Sequence, residues 1–239
     1  MSPEECVRRL AGPIGKLGGA FMFEAATFAR GEALGMDPWA FYHCGRGGVL
    51  GNPDPSVVVA AFGFFPPALQ TKAWGKGVAV LDPSETADHY AQACVDDGRE
   101  RFAVEGAERL ADLLTTALDA ADVAALPLFA GWRAKLHAGP SDGPARLALA
   151  LMAGREHRGS CHLVSVRAAG IEPLQAIMSG RNGASAAEFF GWPKPWPDPA
   201  AAAEAMGEVE RVTDQLVQPA FEVLTEDERA ELVNGLRAL

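Results

Sequence analysis

Two of the chain's five histidines and two arginines lie in an eight-residue run, Arg155-Glu-His-Arg-Gly-Ser-Cys-His162, inside a pattern typical of a long helix. Residues four apart share a helix face, which pairs His157 with Cys161 and Arg158 with His162. Arginine binds carboxylates and phosphates, and histidine transfers protons near neutral pH. The run therefore predicts an anion-binding or acid–base site with His157 as the acid or base.

Two other interpretations fit the same run. Glu156 and the arginines suit an ion-paired helix seam, in which each charge is matched on a neighbouring helix, because unpaired buried charges are costly. His157 and Cys161 also offer two zinc ligands, and His43-Cys44 offers two more. Nothing in the sequence brings these two segments together, so we predict no metal site, and the sequence names no cofactor.

A second candidate segment is the glycine-rich run Phe41–Gly51. It matches neither the dinucleotide-binding nor the Walker pattern, so it gives little support for nucleotide binding. Arg46, set between glycines, suits either a ligand contact or a donor that closes a helix end. Glu24 follows an apolar segment and, if buried, requires an arginine such as Arg46 or Arg158. The predicted pocket comprises Glu24, Tyr42, Arg46, His157, Arg158 and His162.

The elements that must position these residues are helices. Ala and Leu are abundant, and Ser2-Pro, Asp37-Pro, Asp54-Pro and Asp82-Pro each have the form of a helix start. The one β-rich run, residues 57–62, starts from Asp-Pro and is predicted as a buried helix. The predicted helices cover residues 3–11, 17–34, 38–48, 55–63, 66–76, 84–97, 102–121, 127–137, 144–169, 172–181, 184–190, 200–219 and 225–238.

The composition excludes some classes of partner. The net charge of −10 disfavours nucleic acid, which binds basic surfaces, and anionic membranes. The four cysteines form no C-x-x-C pair, and the first residues lack an apolar signal segment. We therefore expect free thiols and a cytoplasmic protein with no membrane partner.

The chain has one strong break, in which four prolines fall within residues 191–199. Two tryptophans in this segment favour a packed loop over a linker. A softer break near residue 140 divides an N-terminal helical region, 1–140, from a C-terminal region, 141–239, packed tightly on it. The terminal helix 225–238 is of a kind that often dimerises, and we expect a homodimer.

The chain resembles a mostly actinobacterial family labelled helix-turn-helix or winged-helix. The most specific part of the resemblance is the run Arg155-Glu156-His157-Arg158-Gly159 with His162. The other matching residues, in chain order, are Phe21-Met22-Phe23-Glu24, Tyr42, Gly45-Arg46, Leu50-Gly51, Ala61-Phe62-Gly63-Phe64, Pro66, Pro127-Leu128-Phe129-Ala130, Trp132, Ala169-Gly170, Gly191-Trp192 and Thr213-Asp214.

The resemblance implies a helical N-terminal region followed by a winged-helix-like C-terminal region. Relatives carry Asp-Gly in place of Ser160-Cys161, which counts against Cys161 as a required ligand. After Gly191-Trp192 they carry a helix and a hairpin that would form the wing, whereas this chain continues into the proline-rich segment and a long helix. The predicted fold is therefore all-α, a multi-helix globular protein with a degenerate winged-helix-like C-terminal region.

The leading functional hypothesis is a small-molecule-binding helical protein whose ligand carries an anionic group. The sequence does not distinguish binding alone from catalysis by His157. The alternatives are a winged-helix-type transcriptional regulator and a protein–protein adaptor. The only candidate recognition helix, 184–190, has Glu188 as its single charge, so nucleic acid is not the expected partner.

Overall fold

A computed structural model describes all 239 residues, and the predicted fold class is confirmed: the protein is all-α and contains no β-strand. Short 3-10 helices connect several of the α-helices. The thirteen α-helices are α1 Pro3–Gly18, α2 Ala25–Ala33, α3 Pro38–Gly47, α4 Pro55–Phe62, α5 Pro67–Val78, α6 Pro83–Arg101, α7 Ala107–Ala120, α8 Pro127–Ala138, α9 Gly143–Ala168, α10 Pro173–Ser179, α11 Gly183–Phe189, α12 Ala203–Val217 and α13 Glu226–Ala238.

Several helices begin where the sequence predicts a capped start. The side chains of Ser2, Asp37, Asp54, Asp82 and Asp142 each accept a hydrogen bond from a backbone N–H of the first turn, with proline at the first or second helical position. Such a cap satisfies a backbone donor that has no partner within the helix. The β-rich run 57–62 lies in one of these helices, α4, as predicted.

Three of the predicted helices differ most from the structure. Helix α1 continues through Pro13 to Gly18, because Gly12 has no Cβ to collide with the proline ring. The predicted helix 17–34 is broken by a 3-10 helix and by Glu24, whose backbone is extended. Helix α7 begins five residues later than the predicted 102, because Gly106 adopts a left-handed φ of 84° that a helix does not continue through.

Helix α9 is the central element of the fold. It packs against α1, α6, α7, α8 and α12, and most of its 26 residues are buried. Close approach to α6 requires a glycine: a Cβ on Gly98 would lie 2.4 Å from the Cβ of Ala148. A single main hydrophobic core extends from Cys6 to Leu236 and so draws side chains from both predicted regions.

The C-terminal region contains a separate small cluster around α10 and α11. The proline-rich segment after α11 is a packed loop, as expected, because Trp192 Nε1 donates to the Phe64 carbonyl at 2.9 Å. Trp196 Nε1 donates to the Trp192 carbonyl at 3.0 Å. Since the chain forms no strand, the region has no β-hairpin wing.

All four cysteines are buried, unpaired thiols. None of the thirteen helices is both long and apolar enough to cross a bilayer.

Candidate functional site

A cavity of about 330 Å³ lies beside the polar face of α9. One wall is aromatic and comes from the α4–α5 junction and the end of α11, whereas α1 contributes small side chains. Its lining residues are Ala11, Ile14, Gly15, Tyr42, Arg46, Ala61, Phe62, Phe64, Phe65, Leu128, Arg155, Arg158, Gly159, Ser160, His162, Phe190 and Glu210.

Two charge clusters border the cavity, and we call the one centred on Glu156, which is 1% exposed, the floor. Arg46 donates to both carboxylate oxygens, from Nε at 2.9 Å and from Nη2 at 2.8 Å, and Arg155 Nη1 donates at 2.8 Å. Burial alone would raise the pKa of Glu156, but the two guanidinium groups outweigh it and hold the pKa below its usual value. Glu156 is therefore ionised and fixes the orientation of Arg46.

Each of the three guanidinium nitrogens of Arg46 already donates one hydrogen bond within the protein. Its Nη1 donates to the Tyr42 hydroxyl at 3.2 Å, and its guanidinium lies 4.2 Å from the ring centroid of Phe62. Arg155 differs, because the bond to Glu156 is its single hydrogen bond and its side chain is 29% exposed. Of the two floor arginines, Arg155 is thus the one with guanidinium nitrogens available to a bound molecule.

A second charge cluster forms the rim. Arg158 donates to Asp214 at 2.6 Å and to Glu210 at 2.8 Å, both on α12. His162 Nδ1 lies 3.4 Å from Glu210 and 3.3 Å from the hydroxyl of Thr213, and its ring stacks on Phe64 at 5.8 Å. Burial is the main cause that lowers the pKa of His162, so its ring is neutral at pH 7.

The structure brings together four of the six predicted pocket residues, Tyr42, Arg46, Arg158 and His162. His157 points to another side of α9, where its ring lies 4.6 Å from that of Phe129. Burial, with a smaller effect of nearby Arg133, lowers the pKa of His157 to about 4. His157 is therefore a neutral, buried ring outside the cavity.

Glu24 is also not at the cavity. It is exposed and pairs with Arg101 at 3.0 Å, rather than with Arg46 or Arg158. The reason is the break before α2, which places Glu24 at the start of that helix instead of inside a buried one.

The six predicted pocket residues leave out Arg155, Ser160 and Glu210, which line the cavity. A signal for Arg155 was present, because residues 155, 158, 159 and 162 follow the three-to-four spacing of one helix face. His157 does not belong to this set of positions, so the same spacing places it on another face of the helix. Glu210 had no signal, since only the fold brings α12 to α9.

The site has the chemistry of a binding pocket. Aromatic rings offer apolar contact, guanidinium groups can donate hydrogen bonds to an anion, and the carboxylate of Glu210 can accept them. The structure holds no group of three or more His, Cys, Asp or Glu side chains arranged to bind a metal ion.

Helices α10 and α11 form a pair joined by three residues that include Gly180. A short connection with glycine is typical of helix-turn-helix motifs. Helix α11 has no basic residue, and Phe189 at its end packs on Phe23 and Trp39, with ring centroids 5.2 Å and 5.7 Å away. Phe190, the next residue, contributes to the cavity wall.

Comparisons with known proteins identify one family. No curated protein and no solved structure is similar enough to the chain to count as a match. A family model described as a helix-turn-helix family matches residues 7–239, nearly the whole chain. The chain therefore belongs to this helix-turn-helix family.

Proposed function

We propose that the protein binds a small molecule with an apolar body and an anionic group in the cavity beside α9. The observation that supports this most directly is the composition of one pocket of about 330 Å³, in which arginines from two helices meet five aromatic rings. Ligand pockets are typically mostly apolar with a few polar groups, and this volume lies at the small end of their usual range.

The proposal concerns binding and assigns no catalytic step to His157. That ring lies outside the cavity, and a catalytic acid or base must be within hydrogen-bond reach of the proton it transfers. The anionic group is assigned to the floor, because Arg155 has free guanidinium nitrogens there and charge-assisted hydrogen bonds are strong.

Two glycines permit a direct test. A Cβ on Gly15 or Gly159, both lining residues, would meet no other atom within 4 Å, so a larger side chain fits and extends into the space of the cavity. Gly75 is the control, since it is equally free of neighbours but lies on α5 away from the cavity. Leucine also favours helix over glycine, so none of the three variants should unfold.

The probe is 1-anilinonaphthalene-8-sulfonate, an aromatic anion whose fluorescence rises on apolar burial. We expect saturable binding with a stoichiometry of one to the wild type and to Gly75→Leu, and none to Gly15→Leu or Gly159→Leu. Equal binding to all four proteins would overturn the proposal, because the dye would then occupy some other surface. A native mass spectrum of freshly purified wild type would also reveal any co-purified ligand.

A second candidate function is DNA binding, which the family match favours. The motif would be the α10–α11 pair with α11 as the recognition helix. Its charges oppose this function, because phosphate contacts require basic residues and α11 has only Glu188. A gel shift at low salt with mixed-sequence duplex DNA tests it: a retarded band that disappears as salt is raised would favour DNA binding, and no band at low salt would exclude it.

A further inference from the structure

The charges of the cavity are distributed unequally between its floor and its rim. At the floor, two guanidinium groups, those of Arg46 and Arg155, share one carboxylate, that of Glu156. The floor therefore carries a net charge of about one positive unit, because one of its two guanidinium charges is not neutralised by a carboxylate. Arg155 is the member with free nitrogens, so the excess charge is directed at the cavity.

The rim has the opposite imbalance. There one guanidinium group, that of Arg158, is shared by the two carboxylates of Asp214 and Glu210. The neighbouring ring of His162 is neutral and does not restore the balance. Glu210 lines the cavity with a side chain that is 53% exposed, so its oxygens can accept a further donor.

Helix α9 contributes one arginine to each cluster. Arg155 and Arg158 are three residues apart, about one turn, which corresponds to roughly 4.5 Å of rise along the axis. The rings of Phe64 and Phe65 also line the cavity and supply apolar contact beside the charged groups. A molecule that contacts both clusters and these rings would carry two polar groups and an apolar body.

From this asymmetry we infer that the ligand is a zwitterion, with an anionic group bound by Arg155 at the floor and a cationic group bound by Glu210 at the rim. The inference rests on the proposed function, because it specifies the chemistry of the same cavity. It assigns the two ends of the ligand to two named residues, neither of which is among the six predicted pocket residues.

Three ring compounds of similar size test the contribution of each charge of the ligand. 4-(Aminomethyl)benzoate carries both, 4-ethylbenzoate carries only the carboxylate, and 4-methylbenzylamine carries only the ammonium group. Each is titrated against the dye bound to the wild-type protein and then measured directly by isothermal titration calorimetry. A hydrogen bond to a charged group is worth about a factor of ten or more in affinity, so we expect the zwitterion to bind about tenfold more tightly than either single-charge compound.

Two variants test which residue binds which end of the ligand. Arg155→Met should reduce the affinity for the zwitterion to that of 4-methylbenzylamine, and Glu210→Gln should reduce it to that of 4-ethylbenzoate. Arg155→Lys should restore part of the loss, since it keeps the charge. Glu231→Gln is the matched control, because it removes a carboxylate that pairs with Arg109 and does not line the cavity. It should leave the affinity for all three compounds unchanged. Circular dichroism checks that each variant is folded.

The outcomes separate the two proposals. If 4-ethylbenzoate binds as tightly as the zwitterion, the zwitterion inference is wrong while the binding of an anion in the cavity stands. A further outcome is that the dye binds the wild type but not the Gly15→Leu and Gly159→Leu variants, while none of the three ring compounds displaces it. In that case the inference is likewise wrong, and the cavity remains a binding site. If the dye itself has no saturable site in the cavity, the proposed function fails and the inference fails with it.

Discussion

Replacing Glu156 with glutamine tests the buried cluster at the floor of the cavity. The carboxylate is 1% exposed and accepts three charge-assisted hydrogen bonds, and Arg46 is 8% exposed. The amide would leave Arg46 buried without a counter-charge, and breaking a buried pair in this way costs about 3–5 kcal/mol. Because domains are stable by only about 5–15 kcal/mol, we expect a large shift in equilibrium urea unfolding, followed by circular dichroism at pH 7.

The matched control is Glu231→Gln, which removes a carboxylate from an arginine that is 47% exposed. Exposed pairs contribute at most about 1 kcal/mol, so the two variants should differ several-fold in their loss of unfolding free energy. The double variant Arg46→Met/Glu156→Leu should recover most of the loss, because well-packed apolar residues can replace a buried pair. A Glu156→Gln variant no less stable than Glu231→Gln would refute the reasoning.

Three further predictions follow from buried rings and close contacts. Burial lowers the pKa of His43 and of His157 to about 4, so below pH about 6.5 the unfolded chain binds protons that the folded protein does not. Unfolding free energy should fall as pH is lowered from 6.5 to 4, and urea titrations should show a shallower fall for His157→Phe; an unchanged slope would contradict the assignment. Gly48→Ala should lose about 1–3 kcal/mol in the same assay, because its Cβ would lie 1.8 Å from the Pro83 carbonyl oxygen. Gly75→Ala, with no neighbour within 4 Å, should instead gain up to about 1 kcal/mol, and a loss there would show that its helix is not as exposed as the structure has it.

Much of the helical architecture could be predicted, because the starts depend on local chemistry. In an Asp-Pro pair, the aspartate side chain accepts a hydrogen bond from a free backbone N–H and the proline ring fixes φ near its helical value. The structure places helices after Asp37, Asp54 and Asp82 as expected. The extent of α1 was not predictable in this way. Gly12 permits the continuation past Pro13, but the length of the helix also depends on packing against α9, where Gly18 approaches the Leu151 carbonyl.

The candidate site could be predicted only in part, for the same reason. The spacing within the run 155–162 indicates a polar helix face, and the glycines around Arg46 indicate close approach. The partner of a charge depends on tertiary contacts, however, so Glu24 lies with Arg101 while Arg46 lies with Glu156, 110 residues away. The ion-paired seam and the pocket also prove compatible, since the same arginines pair with carboxylates and line the cavity.

The position of α9 at the centre of the fold has a consequence for the kinetics of any ligand. Its amides should exchange with deuterium only when the whole protein unfolds, because five helices cover it, whereas α11 packs mainly on α10 and should open locally. Phe190 lines the cavity from this more loosely held side. Local opening of the α10–α11 pair would then offer a bound molecule a route of exchange, and an occupied cavity would slow hydrogen exchange in residues 183–192 while leaving α9 unchanged. Occupancy and the state of the helix-turn-helix pair would thus be thermodynamically linked.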